Sequence, residues 1–176
     1  LIHDAIAAGT SQYGMQTFDQ SLFDLYTKQL ITLEEALVDM QYRLARRFGA
    51  KDMPDLQWRI ELDGLPLLPA RTILQILRLI QEALGNAIKH AEAMHIGIEV
   101  LYEHPPGELQ VRVCDDGKGM GSTPSRGRGI NNMKHRAREI GGLLAIHNQQ
   151  PTGLCVSLRV PPQALMQAGQ AAQSSL

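Results

Sequence analysis

An apolar stripe runs through residues 69 to about 92, and more than any other feature it limits how this chain can fold. Ile73, Leu77, Ile80, Leu84 and Ile88 recur three or four positions apart, the repeat of one face of an α-helix. A helix striped in this way must bury the stripe against a second layer. A different face carries Arg78, Glu82, Asn86 and Lys89. Glu82 and Asn86 are one turn apart, so their side chains stack. A polar face is ordinarily just solvated. A carboxylate and an amide oxygen at that spacing also suit a hard cation such as magnesium, which takes oxygen ligands. Both readings stand on this helix alone.

The second layer is a sheet. Residues 56–62 alternate, with Leu56, Trp58, Ile60 and Leu62 on one side and Gln57, Arg59 and Glu61 on the other. That pattern is a half-buried strand. Ile96, Ile98, Val100 and Tyr102 make a second strand, and Leu109, Val111 and Val113 a third. The short link His104-Pro105-Pro106-Gly107 joins those two as an antiparallel hairpin. Residues 143–147 and 154–160 make another pair, joined near Gln149-Gln150-Pro151-Thr152-Gly153. A helix over about 129–140 lies between the hairpins. Strands paired as hairpins, without regular βαβ alternation, predict an α+β two-layer sandwich: a mixed or mostly antiparallel sheet with helices on one face.

Residues 1 to about 48 read as a helical segment, with a break near 29–32. Thr32-Leu33-Glu34-Glu35 is a capping-box sequence opening its second helix. Residues 49–162 form the main domain, and 163–176 a frayed helix or flexible tail. A net charge of -1 gives no general pull toward nucleic acid. Cys114 and Cys155 have no metal-type spacing and read as buried free thiols. No apolar run approaches the ~18 residues a membrane helix needs. A cytoplasmic domain is the expectation, with a parent protein that could be anchored in a membrane.

Two glycine-rich loops add chemistry. Asp115-Asp116-Gly117-Lys118-Gly119-Met120 ends the third strand. Glycines there permit positive φ and close approach of backbone to a ligand, and a carboxylate just before them can accept from an exocyclic amine such as that of adenine. Gly127-Arg128-Gly129-Ile130 opens the next helix, where bare N–H groups can hold phosphate. Each loop alone is a weak signal. Their order is a strong one: Glu and Asn on a helix, then Asp-x-Gly-x-Gly, then Gly-x-Gly.

That ordered set resembles the ATP-binding catalytic domain of sensor histidine kinases, in the GHKL superfamily with gyrase, Hsp90 and MutL. It covers about residues 40–161 and is most similar to the subclass with Gln-Glu-Ala-Leu-x-Asn-x-x-Lys-His-Ala, here Gln81 to Ala91. The resemblance implies the Bergerat fold, with ATP and Mg2+ bound. Asn86 then corresponds to the magnesium ligand, and Glu82 to the residue beside the γ-phosphate and its attacking group. Lys89 and His90 fall near the phosphates. Asp115 corresponds to the adenine-reading carboxylate and Gly117 and Gly119 to its turn. Gly127, Gly129 and Ile130 correspond to the phosphate loop, and Lys118, Arg126 and Arg128 are candidate cations of the lid.

The same resemblance implies two partners: a phosphoacceptor histidine on a separate helical hairpin, and a response regulator. Ile2-His3-Asp4-Ala5-Ile6-Ala7 resembles such a phosphoacceptor box, but Gly9 and Gly14 interrupt the helix that should follow. Residues 1–38, including Tyr13-Gly14-Met15-Gln16-Thr17-Phe18-Asp19, resemble instead the C-terminal tail of type IV pilus retraction ATPases. No Gly-x-x-x-x-Gly-Lys-Ser/Thr loop accompanies that tail, so it implies a packing or homodimerising element and no motor. Two further functions fit the same residues: a non-catalytic nucleotide-sensing or scaffolding module, and an ATPase of the superfamily with Glu82 as general base.

Overall fold

A computed structural model describes residues 32–48, 54–121 and 128–173, without the side chains of 47–48 and 169–173. His3, most of the pilus-ATPase-like tail, Gly127 and Arg126 lie outside the described residues. The elements in order are α1 (Leu33–Phe48), β1 (Asp55–Glu61), α2 (Ala70–Asn86) with a π-helical turn (Ala87–Ala91), β2 (His95–Glu103) and β3 (Glu108–Asp115). They continue through α3 (Arg128–Glu139), β4 (Leu143–Asn148), β5 (Leu154–Val160) and α4 (Pro162–Gln173).

The strands form one five-stranded sheet in the order β1-β2-β3-β5-β4. Only β1 and β2 are parallel, and α2 is the crossover between them. The other three pairings are antiparallel. This is the mixed sheet of an α+β sandwich. Its register aligns apolar side chains in rows across all five strands. One row is Trp58, Ile98, Val113, Val156 and Ile146, and the next is Ile60, Val100, Val111, Leu158 and Leu144. The alternate positions face the other way and are mostly polar. Arg59, Glu99 and Arg112 stand side by side there, with Arg112 Nη1 3.1 Å from Glu99 Oε2.

The apolar stripe of α2 covers those rows. Ile73, Leu77, Ile80 and Leu84 are buried, and so are Ile76 and Leu79 on its flanks. The buried arc is wider than one stripe because α2 also touches α1 and α3. α1 starts at the expected capping box: Glu35 N–H donates to Thr32 Oγ1 at 3.2 Å and Thr32 N–H to Glu35 Oε2 at 2.8 Å. Those bonds hold the Glu35 carboxyl below its usual range. The stripe Leu33, Ala36, Leu37 and Met40 of α1 is buried in the same core as the sheet. The outer face of α1, with Val38 and Tyr42, stays exposed. The segment expected as a frayed helix or flexible tail over 163–176 is, in its described part, helical to Gln173 and buries Leu165.

The cysteines correct one expectation. Antiparallel register sets Cys114 opposite Cys155 on β3 and β5, and the two are joined as a disulfide. They are 41 residues apart in sequence, so only strand pairing brings them together.

Leu77 is fully buried, and Leu77→Ala is expected to cost about 3 kcal/mol of stability. Thr32→Ala, which removes only the cap, should cost about 1 kcal/mol. Urea denaturation of both variants measures the ordering.

Candidate functional site

The polar face of α2 emerges at the edge of its buried stripe. Glu82 and Asn86 are half-buried, one turn apart, as the spacing requires. The helix then widens into the π turn, which carries exposed Lys89 and His90. Such turns occur often at functional sites. It ends at Glu92, whose φ of 54 reverses the chain toward β2.

The loop after β3 grips the end of this helix. Lys118 N–H donates to the Ala91 carbonyl at 2.9 Å. Gly117 packs so closely on Ala91 that a side-chain carbon would collide with that carbonyl. The two loop glycines therefore act differently. Gly119 has a positive φ of 69, whereas Gly117 is needed for close approach. The Lys118 side chain, a candidate lid cation, instead pairs with Glu92 at 2.7 Å, both groups well exposed.

Asp115 and Asp116 also divide their work. Asp115 is 6% exposed. Its Oδ1 accepts from Gly117 N–H at 3.0 Å and Leu154 N–H at 3.3 Å. Both described side-chain bonds thus fall on one oxygen. Asp116 turns away and ties β3 to the start of β2, accepting from Met94 N–H at 2.8 Å and His95 N–H at 2.9 Å. Its second oxygen lies 2.7 Å from His95 Nδ1. The His95 backbone N–H and then the His95 side chain hold the Asp116 carboxyl down at about 2 against the cost of burial, with the Met94 N–H adding less.

The start of α3 meets the middle of α2. A side-chain carbon on Gly129 would collide with Glu82 Oε1 and lie 3.4 Å from Asn86 Nδ2. The backbone of the second glycine loop therefore rests on the two polar residues of the helix. Ile130 packs half-buried against the core beside it, and Arg128 is exposed at the first helical position. Farther along, Glu139 of α3 accepts from Arg71 at 3.2 Å and Gln75 at 2.7 Å on α2. These bonds fix the pitch of one helix on the other.

Residues 72–164, more than half the chain, match the family described as histidine kinase-, DNA gyrase B-, and HSP90-like ATPase. The chain belongs to that family. It is 40% identical over 86 residues to the sensor histidine kinase YxjM of Bacillus subtilis, covering 49% of this chain and 20% of that protein. It is 32% identical over 165 residues to the nitrate/nitrite sensor protein NarQ of Escherichia coli, covering 85% of this chain and 28% of NarQ. The chain thus spans only a fifth to under a third of these relatives. In fold it is similar to the histidine kinase domain of a blue-light activated histidine kinase from Erythrobacter litoralis. That match has a TM-score of 0.71 at 19% identity and covers 95% of this chain and 84% of the other. Within that family, the relatives it matches in sequence are sensor histidine kinases and a nitrate/nitrite sensor protein.

Within this domain, sequence reasoning passed over the residues that hold the first glycine loop from its far side. They lie at the β4–β5 turn. Gln149 Nε2 donates to the Asp115 carbonyl at 3.2 Å and Thr152 Oγ1 to the Asp116 carbonyl at 3.3 Å. Asn148 Oδ1 accepts from Met120 N–H at 2.7 Å, and its Nδ2 donates to the Met120 carbonyl at 2.9 Å. The only sequence signal was a polar strand end followed by turn residues, which any hairpin shows.

Two outcomes are expected. Gly117→Ala should destabilise the fold by about 1–3 kcal/mol, because backbone must shift to relieve the clash with Ala91; a urea midpoint matching the wild type would refute this. The lowered Asp116 pKa stabilises the fold above about pH 4, near its unfolded value, and that contribution fades as pH falls toward 2. Screening of a carboxylate that is 45% exposed limits the effect to about 1 kcal/mol. Asp116→Asn should flatten the stability-versus-pH curve across that window.

Proposed function

We propose that this domain binds Mg-ATP across the polar face of α2 and passes the γ-phosphoryl group to a histidine on a separate helical hairpin. One observation carries the reading. The two glycine loops, far apart in sequence, converge on the motif helix: the first on Ala91 and the second on Glu82 and Asn86. At roughly 1.5 Å per residue, Ala91 lies about 8 Å along the helix from Asn86 and about 14 Å from Glu82. Those separations suit a ligand with a base at one end and a polyphosphate at the other.

In this reading the free oxygen of Asp115 accepts from the adenine amine, while its Oδ1 stays tied to Gly117 and Leu154. Gly119 lets the turn beside Asp115 take its positive φ. The N–H groups at the start of α3, at Gly129 and Ile130, together with Gly127, hold the phosphates in this reading. Lys89 and His90 lie on the π turn between the two loops and supply positive charge and hydrogen bonds to the phosphates. Glu82 orients the attacking imidazole beside the γ-phosphate.

The donors suit magnesium. Asn86 would hold it, with the Glu82 oxygens one turn away, and no cluster of three or more His, Cys, Asp or Glu exists among the described residues. Magnesium is commonly held by one or two protein groups plus substrate phosphates rather than by an all-protein cage. When bound, it supplies charge neutralisation across the phosphates. The protein's own contribution is positioning and fixed dipoles.

No helix among the described residues is long and apolar enough to cross a membrane. We place the reaction on the cytoplasmic side, where ATP is available, with a response regulator as the final acceptor.

Asp115→Asn should weaken ATP binding by about 1–3 kcal/mol, the cost of leaving a buried group mismatched. Calorimetry that finds unchanged affinity would remove the adenine assignment. Asn86→Ala should abolish the magnesium dependence of binding. Incubation with γ-labelled ATP should give acid-labile label only when a histidine-bearing hairpin is added. Release of free phosphate with no labelled hairpin would favour the ATPase instead.

A further inference from the structure

We propose that Asn148 is a positioning residue for nucleotide binding, holding the 115–121 loop in register from the end of β4. This rests on the ATP-binding reading above. The observation is a two-way bond to one backbone residue. Met120 N–H donates to Asn148 Oδ1 at 2.7 Å, and Asn148 Nδ2 donates to the Met120 carbonyl at 2.9 Å. The side-chain amide stands in for a neighbouring strand, pairing with both backbone groups of Met120 as a ladder partner would. It extends the sheet by one rung beyond Asn148, the last residue of β4.

The chemistry selects the residue type. An amide offers an acceptor and a donor on one short side chain, and Met120 presents a donor and an acceptor. Aspartate keeps the acceptor and loses the donor. Glutamine has the same groups one methylene farther out. The loop is shaped to admit the amide: a side-chain carbon on Gly119 would lie 3.0 Å from Asn148 Oδ1. Gly119 is the positive-φ glycine of the turn that begins at Asp115. Asn148 therefore fixes one side of the turn and Gly117, seated on Ala91, the other. Asp115 is presented between them.

Asn148 is exposed, so its removal opens no hole in the core. This separates a positioning role from a structural one. Asn148→Ala should raise the Kd for ATP about tenfold, the loss of two hydrogen bonds that order a loop. Its melting temperature should fall by only about 2–4 °C, the shift that roughly 1 kcal/mol gives in a chain of this size. Asn148→Asp, which keeps one of the two bonds, should fall between. Exchange of the Met120 amide hydrogen should accelerate in Asn148→Ala. In the phosphotransfer assay, KM for ATP should rise while kcat holds. Gln150→Ala, in the same exposed turn and without a described hydrogen bond, should behave as wild type. Wild-type protein that binds ATP with an Asn148→Ala variant of equal affinity overturns the role of Asn148 alone. Wild-type protein that binds no nucleotide overturns the ATP-binding reading and this proposal together. A large fall in the melting temperature of Asn148→Ala assigns the residue to stability and also overturns it.

Discussion

The burial of α2 on the sheet is the interaction on which the rest depends. Ile73, Ile76, Leu77, Ile80 and Leu84 lie fully or almost fully out of water. Each buried aliphatic side chain contributes about 1.5–3 kcal/mol of transfer free energy. That burial fixes the rotation of the helix about its own axis. A helix that cannot roll must present Glu82 and Asn86 on a constant line at the edge of the core. The site is set by the hydrophobic effect before any polar contact is made.

Polar contacts then act over short distances on a frame already built. Gly117 fits against the Ala91 carbonyl, and Gly129 fits against Glu82 and Asn86. Side-chain bonds close the arrangement, from Asn148, Gln149 and Thr152 on one side and from Asp116 on the other. Each such bond adds about 0.5–1.5 kcal/mol. None of them could hold the fold, yet together they decide where the Asp115 carboxylate stands. The π turn has a part here as well, because it sets where Ala91 ends and so where the loop can dock.

Much of this was legible in the chain, for physical reasons. The strands around Trp58, Ile98, Val111 and Val156 alternate with period two, and α2 repeats with the helical period; both patterns are local and dense. The capping box at Thr32 and Glu35 was legible because its partners are three residues apart. The Cys114–Cys155 bond was not, because it depends on which strands pair. The structural role of Asp116 was hidden beside that of Asp115. Adjacent residues on a strand end point opposite ways, and the same letters give no sign of which way. The work of Asn148 was hidden too, since a polar residue before a turn is ordinary.

The sequence by itself determined the element types, the polar pair on α2 and the two glycine loops with their order, because each is a pattern within a few residues. Only the tertiary structure decided that β3 lies between β2 and β5, that α1 joins the same core, and that Gly117 serves close approach while Gly119 serves positive φ. Those outcomes come from long-range packing. Which backbone group meets which neighbour is settled when α2 seats on the sheet, and no local pattern encodes it.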